Sequence, residues 1–595
     1  MKSAIIARFF GALALVAATV PALAQGQDKP HNIIIFVADG LRYGSVEPDN
    51  MPNMARLKTE GVDFTNSHSL WPTVTTVNAS AIATGHYIGD TGNFGNTLYA
   101  GKPMLTENLS PFAGVEDNMV LAEMNEKFGG NYLNETSLIA AARAQGFQTA
   151  VIGKLGPTRI QDLTASPDGS QTLILDDKTG HAGGLALPQW FTAQMKMNFV
   201  GPSTPATTLP AIEQELYLMK ATTRIVLPHF KAEGKPFAML FWSRDPDITQ
   251  HGAKDSVGEY EPGINGPSAK AATRNADTML GELLQALKDQ GLDKTTDVFV
   301  TADHGFITVA HASATSPSAH MDLALPLTDL KNGFLATDLA ASLGMPLYDP
   351  GKNNALVDIG NGQHLSGGSA LLGADPKNPD VVVASNGGAD LIYLNGADAK
   401  DNAAAIVNFL STQDYTSGVF VNDALGKIPG ALPMSAVNLI GSARTPVPSM
   451  VVNFRSFANC AEQLMCAVSI NDTGLATGQG SHGGFSRAET RNFMAAIGPG
   501  FKAGYADPAP ISNADIAPTM AHLAGIGLAA KGKLTGRVIG EALKGGKAAA
   551  VSRETLASAP DANGNATILN VEQVDGRRYF DAAGYAGQTV GLKAP

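Results

Sequence analysis

The chain is 595 residues long, 44% hydrophobic and only 16% charged, with 64 glycines. That composition suffices for a large core or several domains and excludes a disordered chain. A formal net charge of -12, with no Lys/Arg run, argues against binding a nucleic-acid duplex through its phosphates.

Lys2 and Arg8 precede an apolar run at 9–20, and Ala22-Leu23-Ala24 forms a small-x-small cleavage pattern before Gln25. Residues 1–24 are expected to be a signal peptide and the mature protein to be periplasmic or secreted. The run is too short to span a bilayer, and no later stretch reaches about 18 apolar residues, so no stable membrane insertion is expected. Next, IIIFVA at 33–38 runs without alternation into Asp39-Gly40, as a strand covered on both faces does in a parallel sheet. Helices are expected at 54–60, 77–84 and 135–144, and a strand at 148–152. A helix at 212–227 should stop at Pro228. A strand at 237–242, a helix at 268–290 and a strand at 297–301 come next. This alternation predicts an α/β fold, a doubly wound and mostly parallel sheet with helices on both faces.

From 322 to 446 Gly, Asn, Asp and Ala become dense, with strands at 381–384 and 389–394 and a helix at 403–410. This reads as a large inserted α+β subdomain, a cap on a catalytic domain formed by 25–321 and 447–595. The first sheet should resume with strands at 449–454 and 492–497, then a helix at 514–524. No element is assigned to 577–592. Cys460 and Cys466 are the chain's two cysteines, and in an oxidising compartment they read as a disulfide closing a short loop.

The stretch at 69–96 carries the first chemical signal. An extended Trp-Pro-Thr-Val segment meets Thr75 as a small-residue helix begins, which puts a hydroxyl at a positive helix end. A Ser/Thr-rich helix cap has the same pattern. Asp39, Asp247 and Asp303 each lie just beyond a predicted strand, at the edge where open α/β sheets bind ligands. Asp247 and His251 are spaced D-x-x-x-H, so one helical turn aims both at one cation. Asp303-His304 is followed by Gly305, and His482 sits in a Gly-rich loop. Three Asp and three His suit divalent ions, Zn²⁺ first and Mn²⁺ next.

The blocks FVADG, PTVTTVNASAIATG, DPDITQH, TADHGF and GSHGG together resemble the alkaline-phosphatase superfamily. They are most similar to its type I phosphodiesterase/nucleotide pyrophosphatase branch and to the periplasmic alkaline phosphatases with a threonine nucleophile. The resemblance implies two metal ions, one held by Asp247, His251 and His482, the other by Asp39, Asp303 and His304 with the Thr75 oxygen. It implies a metal-activated Thr75 and a phospho-threonine intermediate. Asn96 would donate to a phosphoryl oxygen together with the backbone N–H of Thr76, while Asn78 reads as a structural cap. The sulfatase C/S-x-P-x-R pattern is missing, since 75–79 reads Thr-Thr-Val-Asn-Ala, so sulfate esters are disfavoured.

The substrate is expected to be a small-molecule phosphate ester. Lys154 resembles the lysine of Lys-x-Arg in the threonine-type phosphatases, but Gly156 stands where that motif has its arginine. With half the monoesterase signature missing, the reading leans to phosphodiesters or nucleotide pyrophosphates. The alternatives are an alkaline phosphomonoesterase using Lys154, then phosphotransfer to a lipid or glycan, and last a non-catalytic binding protein. The leaving group is expected to meet the 322–446 insertion and loops such as 99–119. Nothing in the sequence sets an oligomeric state.

Overall fold

The computed structural model describes residues 31–198, 200–321 and 329–594. The expected signal peptide and Asp322 lie outside them. Among the described residues an eight-stranded sheet forms from β1 (Asn32–Ala38), β2 (Val62–Phe64), β3 (Gln148–Gly153), β4 (Leu173–Asp176), β5 (Phe237–Ser243), β6 (Thr296–Thr301), β7 (Met494–Ile497) and β8 (Tyr505–Asp507). Their order is β8-β2-β7-β6-β1-β5-β3-β4. The run β6-β1-β5-β3-β4 is parallel throughout, and β7 is antiparallel to both its neighbours.

The unbroken apolar run of β1 has a simple cause. Ile33, Ile35 and Val37 enter the core on one face, while Ile34, Phe36 and Ala38 enter the core on the other. Helices cover both, with Ile516–Ala524 on the first face and Pro267–Asp289 on the second. The expected α/β class is the observed one.

The expected stop at Pro228 does not occur. Ile212–Ala221 passes through a π-helical segment, Thr222–Val226, into a further helix, Leu227–Glu233. Pro228 stands in the first turn of that last segment, where the missing N–H is tolerated and the wider register before it absorbs the ring.

A second eight-stranded sheet runs in the order Ala355–Leu356, Leu347–Asp349, Ala370–Leu372, Val381–Ser385, Ala389–Leu394, Met450–Phe454, Thr416–Val421, Ala431–Pro433. The strand at 449–454 therefore does not return to the first sheet as expected. Met450–Phe454 pairs antiparallel with Ala389–Leu394 and Thr416–Val421, and its own alternation divides between two cores. Val451 joins Val382, Leu391 and Phe420 in the core shared with the first sheet, while Met450 and Val452 pack with the helices Phe334–Leu343 and Ala399–Leu410. The stretch left unassigned supplies Arg577–Gly584, the last strand of an antiparallel sheet with Ser552–Ala557 and Ile568–Val574. Residues 31–595 form one compact unit. Cys460 and Cys466 are disulfide-bonded. No helix of the described residues is long and apolar enough to cross a membrane.

One buried acid pair ties the second sheet to the site side of the molecule. Asp390 accepts from the Asn386 N–H and Asp472 from the Gly333 N–H, but the Oδ2 atom of each has no donor. Each carboxyl lies within the electrostatic reach of the other. Burial, then the charge of Asp472, raises Asp390 well above the ordinary carboxylate range, and burial raises Asp472 to about 7. In the unfolded chain both ionise near about 4. The folded chain thus binds more protons between about pH 4 and about 7, and this pair's contribution to stability falls as pH rises through that window. Relative to Asp472→Asn, the parent should lose up to about 1.4 kcal/mol of unfolding free energy per pH unit there. Denaturant titrations of both at several pH values check this, and parallel profiles would contradict it.

Candidate metal centre and nucleophile

β6, β1 and β5 are neighbours and parallel, so their C-terminal ends deliver three carboxylates to one place. Asp39 follows β1, Asp303 follows β6, and Asp247 follows β5 at the start of a short helix, Asp247–Gly252. Backbone bonds lock these ends together. The Asp39 N–H donates to Ser243 O at 3.2 Å, the Asp247 N–H to Asp39 O at 3.0 Å, and the Gly40 N–H to Asp303 Oδ1 at 3.0 Å. Trp242 Nε1 donates to Asp39 Oδ2 at 2.7 Å, which turns Oδ1 inward.

The histidines arrive by two further devices. His251 lies one helical turn after Asp247, with its Nε2 3.2 Å from Asp247 Oδ1. His482 comes from far along the chain through strand pairing. Ile307–Ala310, just after His304, pairs antiparallel with Gly480–Ser481, Ile307 facing Ser481 and Thr308 facing Gly480. A bridge between Thr73 and Gly483 then joins this loop to the segment leading into Thr75.

Each imidazole is oriented by a backbone carbonyl: His251 Nδ1 to Gly480 O at 2.8 Å, His304 Nδ1 to Gly305 O at 2.8 Å, His482 Nδ1 to Thr73 O at 3.0 Å. A carbonyl only accepts, so each Nδ1 carries the proton and each Nε2 turns a lone pair into the cluster. There His251 Nε2 and His482 Nε2 approach to 3.2 Å, and His304 Nε2 lies 3.2 Å from Asp303 Oδ2 and 3.6 Å from Asp39 Oδ1. Asp39 Oδ1, Asp247 Oδ1 and Asp303 Oδ2 are buried without any hydrogen-bond donor. Acceptors facing acceptors in a dry pocket repel unless a cation lies between them, so these residues fit divalent metal.

Two overlapping triads among the described residues have donor atoms within 4.8 Å of one another: Asp247, His251, His482 and Asp39, Asp247, His304. Asp247 belongs to both, and Asp303 stands beside the second. Burial, then repulsion by Asp247, pushes the Asp39 carboxyl up to about 7. Burial, then Asp39, raises Asp303 well above its usual range. Burial alone would raise Asp247 too, but Lys154 and His251 hold it well below. Burial lowers His304 and His482, which favours the neutral form that a ligand requires.

Thr75 is the first residue of helix α1 (Thr75–Thr84), and its Oγ1 lies 3.3 Å from His304 Nε2 and 3.3 Å from Lys154 Nζ. Lys154 also lies 2.9 Å from Asp39 Oδ2 and 3.3 Å from Asp247 Oδ2, with only 7% of its side chain exposed. It is no solvated loop lysine. Burial lowers its pKa, but Asp247, Asp39 and Glu116 outweigh this and keep it charged, well above its usual value. Arg159 does not supply a second cation here, because its guanidinium donates to the carbonyls of Asp162, Leu163 and Ala165.

Asn96 joins the group with one difference from expectation. Its Oδ1 accepts from the Thr76 N–H at 2.9 Å, so that N–H is committed and not free for a phosphoryl oxygen. The same bond fixes the amide with Nδ2 outward, where it meets Glu116 Oε2 at 3.3 Å. Asn78 is a structural tie, accepting from the Leu70 N–H and donating to the Leu70 and Val74 carbonyls. His86, Asp90 and Glu135 also converge, but the carboxylates already accept from Ser442, Leu534, Lys531 and Gly532 N–H groups, a satisfied hydrogen-bond hub. Sequence reasoning missed Trp242, Glu116 and Asn386, whose side chain bonds both backbone groups of Thr97 and so braces Asn96. Only Glu116 had a signal, its place in the 99–119 loop.

Residues 33–391 match the type I phosphodiesterase / nucleotide pyrophosphatase family. The chain belongs to that family. His482 lies beyond the matched residues, so its place in the centre rests on the geometry. Among curated proteins the chain is similar to Venom phosphodiesterase 2 and Venom phosphodiesterase 1 of Crotalus adamanteus, each 25% identical over 275 residues, 46% of this chain. Venom phosphodiesterase CdcPDE of Crotalus durissus collilineatus is likewise 25% identical over 275 residues. The match spans about a quarter of each relative's length, 25% to 26%.

Because Asp247 is shared, ligand removal should be unequal. Equilibrium dialysis with Zn²⁺ should give roughly two ions per parent chain, about one for His251→Ala and neither tightly held for Asp247→Ala, read by elemental analysis. Equal loss in both variants would contradict the shared-ligand arrangement.

Proposed function

We propose that the chain is an exported, metal-dependent phosphoric ester hydrolase of phosphodiester or nucleotide-pyrophosphate type, with Thr75 as its nucleophile. The observation that carries this reading is Thr75 Oγ1 at a helix N-terminus, 3.3 Å from both Lys154 Nζ and His304 Nε2 at the edge of the Asp/His cluster. Family membership and the names of the relatives support the ester class. Export is supported by the N-terminal sequence pattern and by the disulfide. The division into a 25–321 plus 447–595 catalytic part and a 322–446 cap belongs to the same proposal.

Two divalent ions, Zn²⁺ first on the ligand chemistry, would be held by Asp247, His251 and His482 and by Asp39, Asp303, His304 and Thr75, with Asp247 near enough to serve both. When bound they supply positive charge for the attacking and leaving oxygens of an in-line displacement. The chain's own groups do the rest. Lys154 and the N-terminal end of α1 favour the anionic form of the Thr75 oxygen and attract the phosphoryl group. Asn96 Nδ2, its direction fixed by Thr76, donates to a phosphoryl oxygen. The Thr75 Oγ–phosphorus bond forms as the bond to the leaving oxygen (of an alcohol, or of a phosphate when the substrate is a pyrophosphate) breaks, the hydroxyl proton passing to solvent. The phospho-threonine so formed still carries the other ester group of a diester, and water later cleaves its Thr75 Oγ–phosphorus bond. Lys154 also favours a second reading, an alkaline phosphomonoesterase, because a buried cation beside the nucleophile suits a dianion.

With the zinc-loaded mature chain at alkaline pH, bis-p-nitrophenyl phosphate should be cleaved with a higher kcat/KM than p-nitrophenyl phosphate. Thr75→Ala should lose on the order of a thousandfold or more. A high monoester rate lost selectively in Lys154→Ala would establish the second reading, and an unaffected Thr75→Ala would overturn both.

A further inference from the structure

Glu116 is the one carboxylate of this neighbourhood that the proposed chemistry leaves without a task. It lies in the loop after the strand Phe112–Gly114, and its side chain is 40% exposed, whereas Asp39, Asp247 and Asp303 are buried. Its Oε1 is 3.5 Å from Lys154 Nζ and its Oε2 is 3.3 Å from Asn96 Nδ2. Those are the two donors beside Thr75 that a phosphoryl oxygen would use. Glu116 therefore stands at the outer rim of the phosphoryl pocket, between its lysine and its amide.

The surrounding backbone holds it there. The Val115 N–H donates to Asn96 O at 2.9 Å, tying the Glu116 loop to the Asn96 segment. On the other side Gly156 packs so closely that an added Cβ would lie 2.6 Å from Glu116 Cα. Gly156 also has φ +84°, a conformation side chains disfavour. A side chain at 156 would press on the Glu116 backbone, so glycine there keeps the Glu116 loop close against the turn that carries Lys154.

We propose that Glu116 determines the ester class, repelling phosphomonoester dianions while admitting diester monoanions. This rests on the hydrolase reading above and deepens it. A monoester presents a further anionic oxygen, and one directed at this rim faces a carboxylate. A diester can turn its neutral ester oxygen and second alcohol to the same place. The pocket keeps Lys154 for one negative charge, and Glu116 penalises the second. Specificity built by repulsion of the wrong ligand needs no added contact to the right one.

The test compares zinc-loaded parent, Glu116→Gln and Glu116→Ala. In Glu116→Gln, which keeps shape and removes charge, the ratio of kcat/KM for p-nitrophenyl phosphate to that for bis-p-nitrophenyl phosphate should rise roughly tenfold at low salt, and less at high salt. A binding arm uses inorganic phosphate and calorimetry on Thr75→Ala with and without Glu116→Gln, and the dianion should bind roughly tenfold tighter to the double variant. A ratio and a phosphate affinity unmoved by Glu116→Gln overturn the proposal, as does a ratio that moves only in Glu116→Ala, which would make the effect one of size. If the parent cleaves neither ester, the hydrolase reading fails while the phosphate arm still decides whether Glu116 screens dianions.

Discussion

Three carboxylates and three unprotonated imidazole nitrogens are forced together in a water-poor pocket, and the surrounding structure answers to that constraint. The outward-facing atoms of these side chains are spoken for: Nδ1 of each histidine by a carbonyl, Asp39 Oδ2 by Trp242, Asp303 Oδ1 by Gly40. The supporting bonds orient the side chains and leave the inner carboxylate oxygens without donors. A site organised this way is strained by itself and relieved by cations. The parallel sheet supplies the rigid frame, since adjacent parallel strands end side by side and the residues just past one strand meet those just past its neighbour.

The second sheet is packed against the first and reaches the site. Its inner face shares one apolar core with the first sheet, and the turn between Val381–Ser385 and Ala389–Leu394 reaches the site itself. Asn386 grips Thr97, and the Gly388 N–H donates to His482 O at 3.0 Å. Glycine is required at 388, because a Cβ there would lie 2.3 Å from Gly484 N. One turn thus sets both the Asn96 amide and the His482 imidazole.

Much of this was legible in the sequence, and the reasons are local. Asp39, Asp247 and Asp303 could be found because each follows a short apolar run whose unbroken pattern marks a parallel strand. Asp247 and His251 could be paired because helical spacing is local too. His482 was singled out by its Gly-rich loop, but only the resemblance grouped it with Asp247 and His251, as nothing in such a loop tells which strand end it will cover. Trp242 and Asn386 were not legible, because their roles depend on contacts with residues far away in the chain, and Glu116 was legible only as part of the 99–119 loop. The same limit explains the strand Met450–Phe454, whose apolar pattern fits either sheet and whose partners are fixed only by the tertiary fold.

The bridge from Thr73 to Gly483 has a kinetic meaning as well. It joins the Thr75 segment to the His482 loop across some 410 residues of chain, whereas the pairing of Ile307–Ala310 with Gly480–Ser481 spans well under half that distance. The first sheet depends on pairings just as distant, since Val62 faces both Ala496 and Tyr505. Contacts of such separation raise contact order, which slows folding across proteins. His482 and β7 alike reach their places only when residues beyond 480 join those before 310, so assembly of the Asp/His cluster and completion of the first sheet are bound together.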